Sequence, residues 1–254
     1  MVGALGISSS YGAPTEAFEE AFDRGCNYFT WGTFIKGRSK PMQAAVRNLV
    51  DRGLRDKLVL ASFSYSHSAM WMGHSTETAL RALGTDYLDV LLLGYHNGRP
   101  WQRILNRAQK LKEQGKIRFI GLSSHNRKLF PELVKDGIID VFHVRYNAAH
   151  RGAETETFPF LTGDDRPGVV SFTATRWGKL LKADKLPPDE PPASAADCYR
   201  FVLSHPTVDV CMAGTRSLEQ MRHALGALDL GPLSDDEMTR MRRIGDLVYG
   251  KKRA

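Results

Sequence analysis

The sequence predicts an α/β protein in which eight parallel strands alternate with helices and close into a single (β/α)8 barrel. Its 254 residues and 42% hydrophobic content suit one barrel domain, which typically needs about 250 residues. Residues 87–93 form a short, almost uninterrupted apolar run, as expected of a strand covered by helices on both faces. No Gly-x-Gly-x-x-Gly follows an early strand, so the usual signature of an open doubly wound sheet is missing. We expect residues 1–254 to form one domain.

The first four strands are predicted from apolar runs, and their helices from apolar residues at helical spacing. Thr15 stands at the start of the first helix and Gly25 ends it, since threonine favours a helix start and glycine a helix end. Ala45, Val46 and Leu49 define one face of the second helix. The predicted strands cover 3–7, 27–31, 57–63 and 87–93, and the helix that begins at Thr15 is followed by helices over 42–54 and 76–83.

The same alternation continues through the second half of the chain. Gly115 ends a helix predicted over 101–114, and a proline-rich segment, 186–192, is predicted to be a loop after the seventh strand. The remaining strands are predicted over 117–123, 141–145, 169–173 and 208–213, and the remaining helices over 128–135, 154–161, 193–203, 217–228 and 235–248.

Composition excludes several classes of protein. No stretch approaches the ~18 apolar residues that a membrane helix needs, and the N-terminus lacks the pattern of a secretory leader. We therefore expect a soluble, cytoplasmic protein without a membrane partner. Cys26, Cys198 and Cys211 are far apart in sequence, which predicts neither a disulfide framework nor a zinc knuckle. The 8 histidines show no ligand spacing, so no metal is expected.

The formal net charge of +7 raises the question of an anionic partner. The basic residues are dispersed except in 238–254, where the simplest interpretation is a solvated terminal helix. Because aromatic residues do not alternate with the basic ones, we expect no nucleic-acid partner. The sequence leaves the oligomeric state open.

Five segments of the chain resemble aldo-keto reductases, in the same order as in that family and through nearly the whole chain. They are Gly25-Cys26-Asn27-Tyr28-Phe29, residues 83–93, residues 115–123, Arg145-Tyr146-Asn147 and residues 213–220. The resemblance implies a barrel that transfers hydride between NADP(H) and a carbonyl group. It also implies that the family's N-terminal hairpin is reduced to residues 1–2 and that the loops near the C-terminus are short.

By the same resemblance, the family's four catalytic side chains are absent. The family's Asp falls on Thr30, its Tyr on Phe34 or Ile35, its Lys on Phe63 and its His on Gly94. A phenylalanine or an isoleucine cannot replace a phenol as the proton donor. The resemblance therefore implies a divergent active site.

The resemblance also indicates where the nicotinamide of the cofactor lies. It places the carboxamide group against Ser123, Ser124 and His143, and it places the family's stacking Tyr at Thr173. These residues end or follow the fifth, sixth and seventh predicted strands, so they share one end of the barrel.

The start of the helix after the eighth strand carries the features of a phosphate site. By the resemblance, Gly214, Thr215, Arg216, Ser217 and Gln220 surround the 2′-phosphate of NADP(H). The first N–H groups of that helix and its positive dipole end attract an anion, and Arg216 adds a guanidinium fork. NADP(H) is therefore the expected cofactor.

Two other side chains can supply acid or base chemistry at the barrel mouth. Residues two apart on a strand point to the same side, so Tyr65 and His96 face the mouth if the third and fourth strands extend one step further than in the family. Tyr65 would then donate the proton and His96 would tune it or act as a base. The alternative is that both residues only line a polar rim.

Further polar residues follow the fifth, sixth and seventh strands. His125, Arg145 and Arg176 are candidates for the active site, and two guanidinium groups at one mouth favour a ligand with a carboxylate or phosphate. The alternative is that Arg145, or Arg151 in the next loop, pairs with a structural acid such as Glu154.

Three functions remain open from the sequence. The first is an NADP(H)-dependent oxidoreductase that acts on a small-molecule carbonyl or imine with a non-standard acid and base. The second is a barrel enzyme of isomerase, lyase or dehydratase type that uses no nicotinamide cofactor. The third is a non-catalytic binding subunit. The fold alone does not decide among these three functions.

Overall fold

Parallel strands close into a barrel in which each strand pairs with its neighbours in chain order and the first pairs with the eighth. The computed structural model describes residues 1–33, 35–66, 68–94 and 96–250, so Phe34 lies outside the described residues. The strands are β1 (Leu5–Ser8), β2 (Tyr28–Trp31), β3 (Val59–Ser64), β4 (Leu88–Leu93), β5 (Ile117–Ser124), β6 (Val141–Arg145), β7 (Gly168–Phe172) and β8 (Val210–Ala213). The predicted (β/α)8 barrel is confirmed, and residues 1–4 before β1 contain no strand.

Helices connect the strands and pack around the barrel. Two of them begin with a capping box, in which Ser194 and Asp197, or Ser234 and Glu237, satisfy each other's backbone N–H groups. The helices are α1 (Thr15–Asp23), α2 (Lys40–Asp51), α3 (Ala69–Leu83), α4 (Gln102–Glu113), α5 (Leu129–Val134), α6 (Ala153–Glu156), α7 (Ala195–Leu203), α8 (Leu218–Leu225) and α9 (Asp235–Tyr249).

Two predicted helix boundaries differ most from the structure. α3 begins at Ala69 rather than at 76. The prediction missed its first two turns because they bury only Met72 and Gly73 and so show a weak apolar period. α6 ends at Glu156, where the sequence predicted a helix to 161. A 3-10 turn over Phe158–Phe160 follows it, since Pro159 has no N–H to continue an α-helix.

The interior of the barrel is filled by side chains. Tyr28, Ala61, Val90, Val170, Val210 and Met212 form a buried layer between the strands. Gly6 belongs to the same layer, where an added Cβ would lie only 2.6 Å from the sulfur of Met212. The barrel is therefore a packed core, and open space begins only above this layer.

The basic C-terminal helix is solvated along its arginine face, where the side chains are 31% to 52% exposed, and anchored along the other. Residues 251–254 lie outside the described residues. Met241, Ile244 and Val248 of α9 are buried. Arg240 donates to Glu190 at 3.0 Å, and Arg242 binds Glu154 at 2.9 Å. These ion pairs neutralise the charges of Arg240 and Arg242.

Three further findings concern the described part of the chain. None of its helices is long and apolar enough to cross a membrane. No group of histidine, cysteine, aspartate or glutamate side chains within it could hold a metal ion. The three cysteines are free and buried.

Candidate functional site

A cavity of about 800 Å³ opens at the carboxyl ends of the strands, within the size range of small-molecule sites. Every strand contributes at least one lining residue, on the strand or just after its carboxyl end. Examples are Thr30 on β2, Phe63 on β3, His143 on β6 and Phe172 on β7. None of the lining residues that the structure describes is an aspartate or glutamate, whereas Lys182 and Arg216 are cationic. The described wall therefore favours an anionic ligand.

The positions of the family's catalytic residues lie at this cavity without the expected side chains. Thr30, Phe63 and Gly94 line it, while Ile35 is exposed and lies outside the lining. Thr30 is buried, and its hydroxyl donates to the sulfur of Met212 at 3.7 Å. The part of the site described here thus has no Asp, Lys or His at these positions.

The ring of Tyr65 fills the space above Gly94. An added Cβ at Gly94 would lie 2.7 Å from Cδ1 of Tyr65, so no larger residue fits there without displacing the ring. The rings of Phe63 and Tyr65 are stacked, with centroids 5.1 Å apart and planes at 5°. The predicted extension of the third and fourth strands is absent, since β3 ends at Ser64 and β4 at Leu93. Tyr65 still lines the cavity, whereas His96 is buried and lies outside the described lining.

Ser123, Ser124 and His143 line the side of the cavity formed by β5 and β6. Ser124 accepts the backbone N–H of Asn126 at 3.0 Å, which fixes its hydroxyl. The Nε2 atom of His143 lies 2.8 Å from the hydroxyl of Tyr28. Burial lowers the pKa of His143 to about 3 and raises the pKa of Tyr28, so both side chains are neutral at physiological pH.

The aromatic wall beside these residues is one that the sequence reasoning missed. Thr173, where the resemblance placed the stacking Tyr, lines the cavity but has no ring. The ring at the end of β7 belongs to Phe172, which also lines the cavity. The signal in the sequence was that Phe172 is the last apolar residue of the predicted strand.

The predicted phosphate residues lie together at another part of the wall. Gly214, Thr215, Arg216 and Gln220 line the cavity, whereas Ser217 lies just behind as the N-cap of α8. The side chain of Ser217 accepts the N–H of Gln220, and the side chain of Gln220 accepts the N–H of Arg216 at 3.0 Å. This double contact holds the loop that carries Arg216.

Two further lining residues were also missed, Tyr11 and Lys182. Tyr11 lies after β1, with the guanidinium of Arg216 5.8 Å from its ring centroid. The Tyr11 ring also packs closely on Gly214, since an added Cβ at Gly214 would lie 2.5 Å from that ring. Lys182 reaches the wall from a 3-10 turn after β7. No local motif marks either residue, because both are distant from α8 in the sequence.

His125 and Arg145 lie at the rim. His125 lines the cavity and packs its ring edge-on against Phe172, with centroids 5.6 Å apart. Burial and the charge of Arg145 lower its pKa. Arg145 lies outside the described lining, with its guanidinium 5.8 Å from the ring of Trp177, which does line the cavity.

Arg145 has no structural acid as its partner among the described residues. Its buried Nε atom has no hydrogen bond there, and the charged neighbours that lower its pKa, after burial, are Arg127 and Arg176. Glu154, the predicted alternative partner, instead binds Arg242 and accepts the hydroxyl of Tyr146 at 2.7 Å. The guanidinium of Arg145 is therefore available for an anion at the rim.

Arg176 and Arg151 have structural roles. Arg176 lies outside the described lining, and its guanidinium donates to the carbonyl of Val248 and lies over the ring of Tyr249. Arg151 pairs with Asp246 at 2.8 Å. Both side chains hold α9 against the barrel, so of the two arginines predicted at the mouth only Arg145 is free of such a contact.

An eight-stranded parallel barrel with a large cavity at its carboxyl end has the architecture of the (β/α)8 enzymes. The family model described as the aldo/keto reductase family matches residues 7–197. The chain therefore belongs to the aldo/keto reductase family.

Known relatives match parts of the chain. The methylglyoxal reductase YeaE of Escherichia coli K12 is 29% identical over 133 residues, which are 50% of this chain and 47% of that protein. The NADH-specific methylglyoxal reductase of the same strain is 24% identical over 208 residues, 67% of this chain and 63% of that protein. These matches thus span about half to two thirds of the length of the relatives.

A solved structure extends the likeness to the whole fold. An aldo/keto reductase of Klebsiella pneumoniae, in complex with NADP and acetate, superimposes with a TM-score of 0.76 at 23% identity. The superposition covers 99% of this chain and 93% of the other. It establishes a common barrel architecture.

Proposed function

We propose that this protein is an NADP(H)-dependent oxidoreductase that reduces a small-molecule carbonyl or imine with a non-standard proton donor. The observation that carries the proposal is the cavity. Its lining combines the cationic Arg216 and Lys182 with the polar and aromatic Ser123, His143 and Phe172. Family membership, the reductase names of the relatives and the NADP in the Klebsiella structure support the same conclusion.

The residues present fit this cofactor. Arg216 and Lys182 would hold the 2′-phosphate, with the N–H groups that open α8. Ser123 and His143 would bind the carboxamide, and the ring of Phe172 would pack against the nicotinamide. When bound, NADPH supplies the hydride. The described lining contains no carboxylate that would repel the phosphates.

Tyr65 is the proton donor in this proposal. Its ring occupies the place from which the family's His would project, beside Phe63 at the family's Lys position. A phenol at that place can donate its proton to the carbonyl oxygen as the hydride arrives at the carbon, which gives the alcohol. Phe63 holds the phenol ring by stacking and excludes water from one face.

Arg145 gives the proposal a substrate class. A guanidinium without an acidic partner among the described residues, next to the cavity residues His125 and Trp177, suits a carboxylate at the rim. We therefore expect carbonyl compounds that also carry a carboxylate to be better substrates than neutral ones.

Calorimetric titration with NADPH, NADP+ and NADH tests cofactor binding. We expect micromolar binding of the phosphorylated forms and about tenfold to hundredfold weaker binding of NADPH to Arg216→Gln, since a charge-assisted phosphate contact is lost. NADH binding should change little in that variant. Lys179→Gln is the matched control, because Lys179 is an exposed cation outside the described lining.

Two results would count against the proposal. Absence of binding at millimolar cofactor would remove the oxidoreductase role. Stronger binding of NADH than of NADPH, as the name of one E. coli relative implies for that protein, would remove the proposed role of Arg216.

A second function is favoured by the replacement of the family's catalytic residues with Thr30, Phe63 and Gly94. A barrel without these groups can perform non-redox chemistry or bind a ligand without reaction. If no nicotinamide cofactor binds, a screen of anionic metabolites by thermal shift would distinguish these roles. A stabilising metabolite that is also converted indicates an enzyme, and one that is only bound indicates a binding subunit.

A further inference from the structure

Two buried polar side chains meet across the interior of the barrel. Tyr28 on β2 and His143 on β6 are 3% and 2% exposed, and their O and Nε2 atoms are 2.8 Å apart. Apolar residues of the barrel layer, Ala61, Val90 and Met212, surround the pair at this level. His143 lines the cavity, and Tyr28 lies one layer deeper on its strand than Thr30.

The surroundings fix the direction of this hydrogen bond. The Tyr28 hydroxyl has no other hydrogen-bond partner among the described residues. If Nε2 of His143 carried the hydrogen, the phenol hydrogen would be buried without an acceptor, which is strongly disfavoured. The phenol must therefore donate, and Nε2 must accept.

This direction determines the tautomer of His143. Burial lowers its pKa to about 3, so the ring is neutral at physiological pH and carries a single hydrogen. In a neutral imidazole one nitrogen is a donor and the other an acceptor. With Nε2 accepting from Tyr28, the hydrogen resides on Nδ1, the ring nitrogen that remains for a ligand.

We propose that Tyr28 is a positioning residue that holds His143 in the Nδ1–H tautomer, so that the cavity floor presents a fixed hydrogen-bond donor to a carbonyl oxygen of the ligand. For the identity of that ligand, the inference rests on the proposed function. The carbonyl belongs either to the carboxamide of the nicotinamide or to the substrate. A side-chain amide at this position could donate or accept, whereas this histidine selects acceptors.

The tautomer can be measured without any ligand. Long-range proton–nitrogen NMR on protein labelled with ¹⁵N-histidine distinguishes the two ring nitrogens, and His143→Gln assigns the signals. We expect an acceptor-type Nε2 and a protonated Nδ1 in the wild type. Tyr28→Phe should shift the population toward the Nε2–H tautomer. The control Tyr87→Phe, at the residue just before β4 begins, should not.

Three outcomes overturn this inference. They are an Nε2–H tautomer in the wild type, an imidazolium at neutral pH, and an unchanged tautomer in a folded Tyr28→Phe. If Tyr28→Phe does not fold, the wild-type spectrum still decides. Failure of NADP(H) to bind would affect the proposed function and leave this spectrum unaltered, so the two failures are distinguishable.

Ligand titrations then identify the source of the carbonyl. A downfield shift of the Nδ1 proton with NADP+ alone assigns the acceptor to the cofactor. A shift that requires acetamide, an unreactive carbonyl compound, in addition to NADP+ assigns it to the substrate. No shift with either overturns the ligand-binding part of the inference. Tyr28→Phe should weaken the responsible ligand about tenfold, as expected for one misplaced hydrogen bond.

Discussion

At the scale of single residues, the stacked rings of Phe63 and Tyr65 carry the proposed proton donor of the site. They bring the phenol of Tyr65 against Gly94, where any side chain larger than that of glycine would displace the Tyr65 ring. The missing side chain at Gly94 and the presence of Tyr65 are therefore one structural feature. In the proposed mechanism the phenol of Tyr65 donates the proton and the guanidinium of Arg145 binds the substrate.

Tyr65→Phe removes the proposed proton and keeps the stacked ring. We expect kcat to fall about 100-fold to 10,000-fold, the usual contribution of a positioned general acid, with unchanged affinity for NADPH. Steady-state kinetics combined with calorimetry measures both quantities. If Tyr65→Phe retains full turnover, another group donates the proton.

Arg145→Gln tests the substrate class. The KM for a carbonyl compound with a carboxylate should rise about tenfold to hundredfold, whereas the KM for the corresponding amide should stay constant. Arg145→Lys should recover part of the loss, since it restores the charge without the planar fork. Equal effects on the charged and neutral substrates would show that Arg145 has only a structural role.

Acidification should destabilise the fold through His143. Its pKa is lowered by burial to about 3, against about 6.5 in the unfolded chain. Between these values the unfolded chain binds a proton that the folded protein does not, so the free energy of unfolding falls as pH falls. From about pH 6.5 to about pH 5 the loss from this residue is on the order of 2 kcal/mol.

Urea unfolding of the wild type and of His143→Gln over that pH range measures this contribution. The variant should show the shallower pH dependence. His125, His150 and His205 also have lowered pKa values, and they contribute equally to both proteins. Parallel pH profiles for the two proteins would contradict the burial of a neutral His143.

At the scale of elements, the segment after β7 carries backbone strain next to the cavity. Thr173, Arg176 and Trp177 have positive φ angles of 62°, 51° and 53°, and they are the non-glycine residues with this conformation in the described chain. Strained backbone of this kind concentrates at functional sites. Here it turns Trp177 toward Arg145 and the cavity while Arg176 points to α9.

Replacing Thr173 tests this strain. A β-branched residue is poorly tolerated in the left-handed region, whereas asparagine is enriched there. We expect Thr173→Asn to raise the free energy of unfolding by about 1 kcal/mol, and Thr173→Val, which keeps the β-branch, to give no increase. Chemical denaturation of the three proteins provides the comparison, and an equal gain for valine would exclude relief of strain as the cause.

At the scale of the whole molecule, the fold could be predicted from the sequence because strand and helix periodicities are local. That Gly214 and Arg216 meet at the cavity was predictable for the same reason, since both are close in sequence to the start of α8. The contact of Tyr28 with His143 joins residues 115 positions apart. Such contacts, like that of Tyr11 with Arg216, depend on barrel closure and leave no local pattern.

The central claim is hydride transfer to a carbonyl, and deuterium transfer tests it most directly. The purified protein would be incubated with NADPH deuterated at both C4 positions and with small carbonyl compounds, each as a carboxylate and as its amide. We predict one deuterium at the carbinol carbon of the product, measured by mass spectrometry, with faster transfer to the carboxylates. Oxidation of NADPH no faster than in buffer, with no deuterated alcohol from any compound, would contradict the assignment as an oxidoreductase.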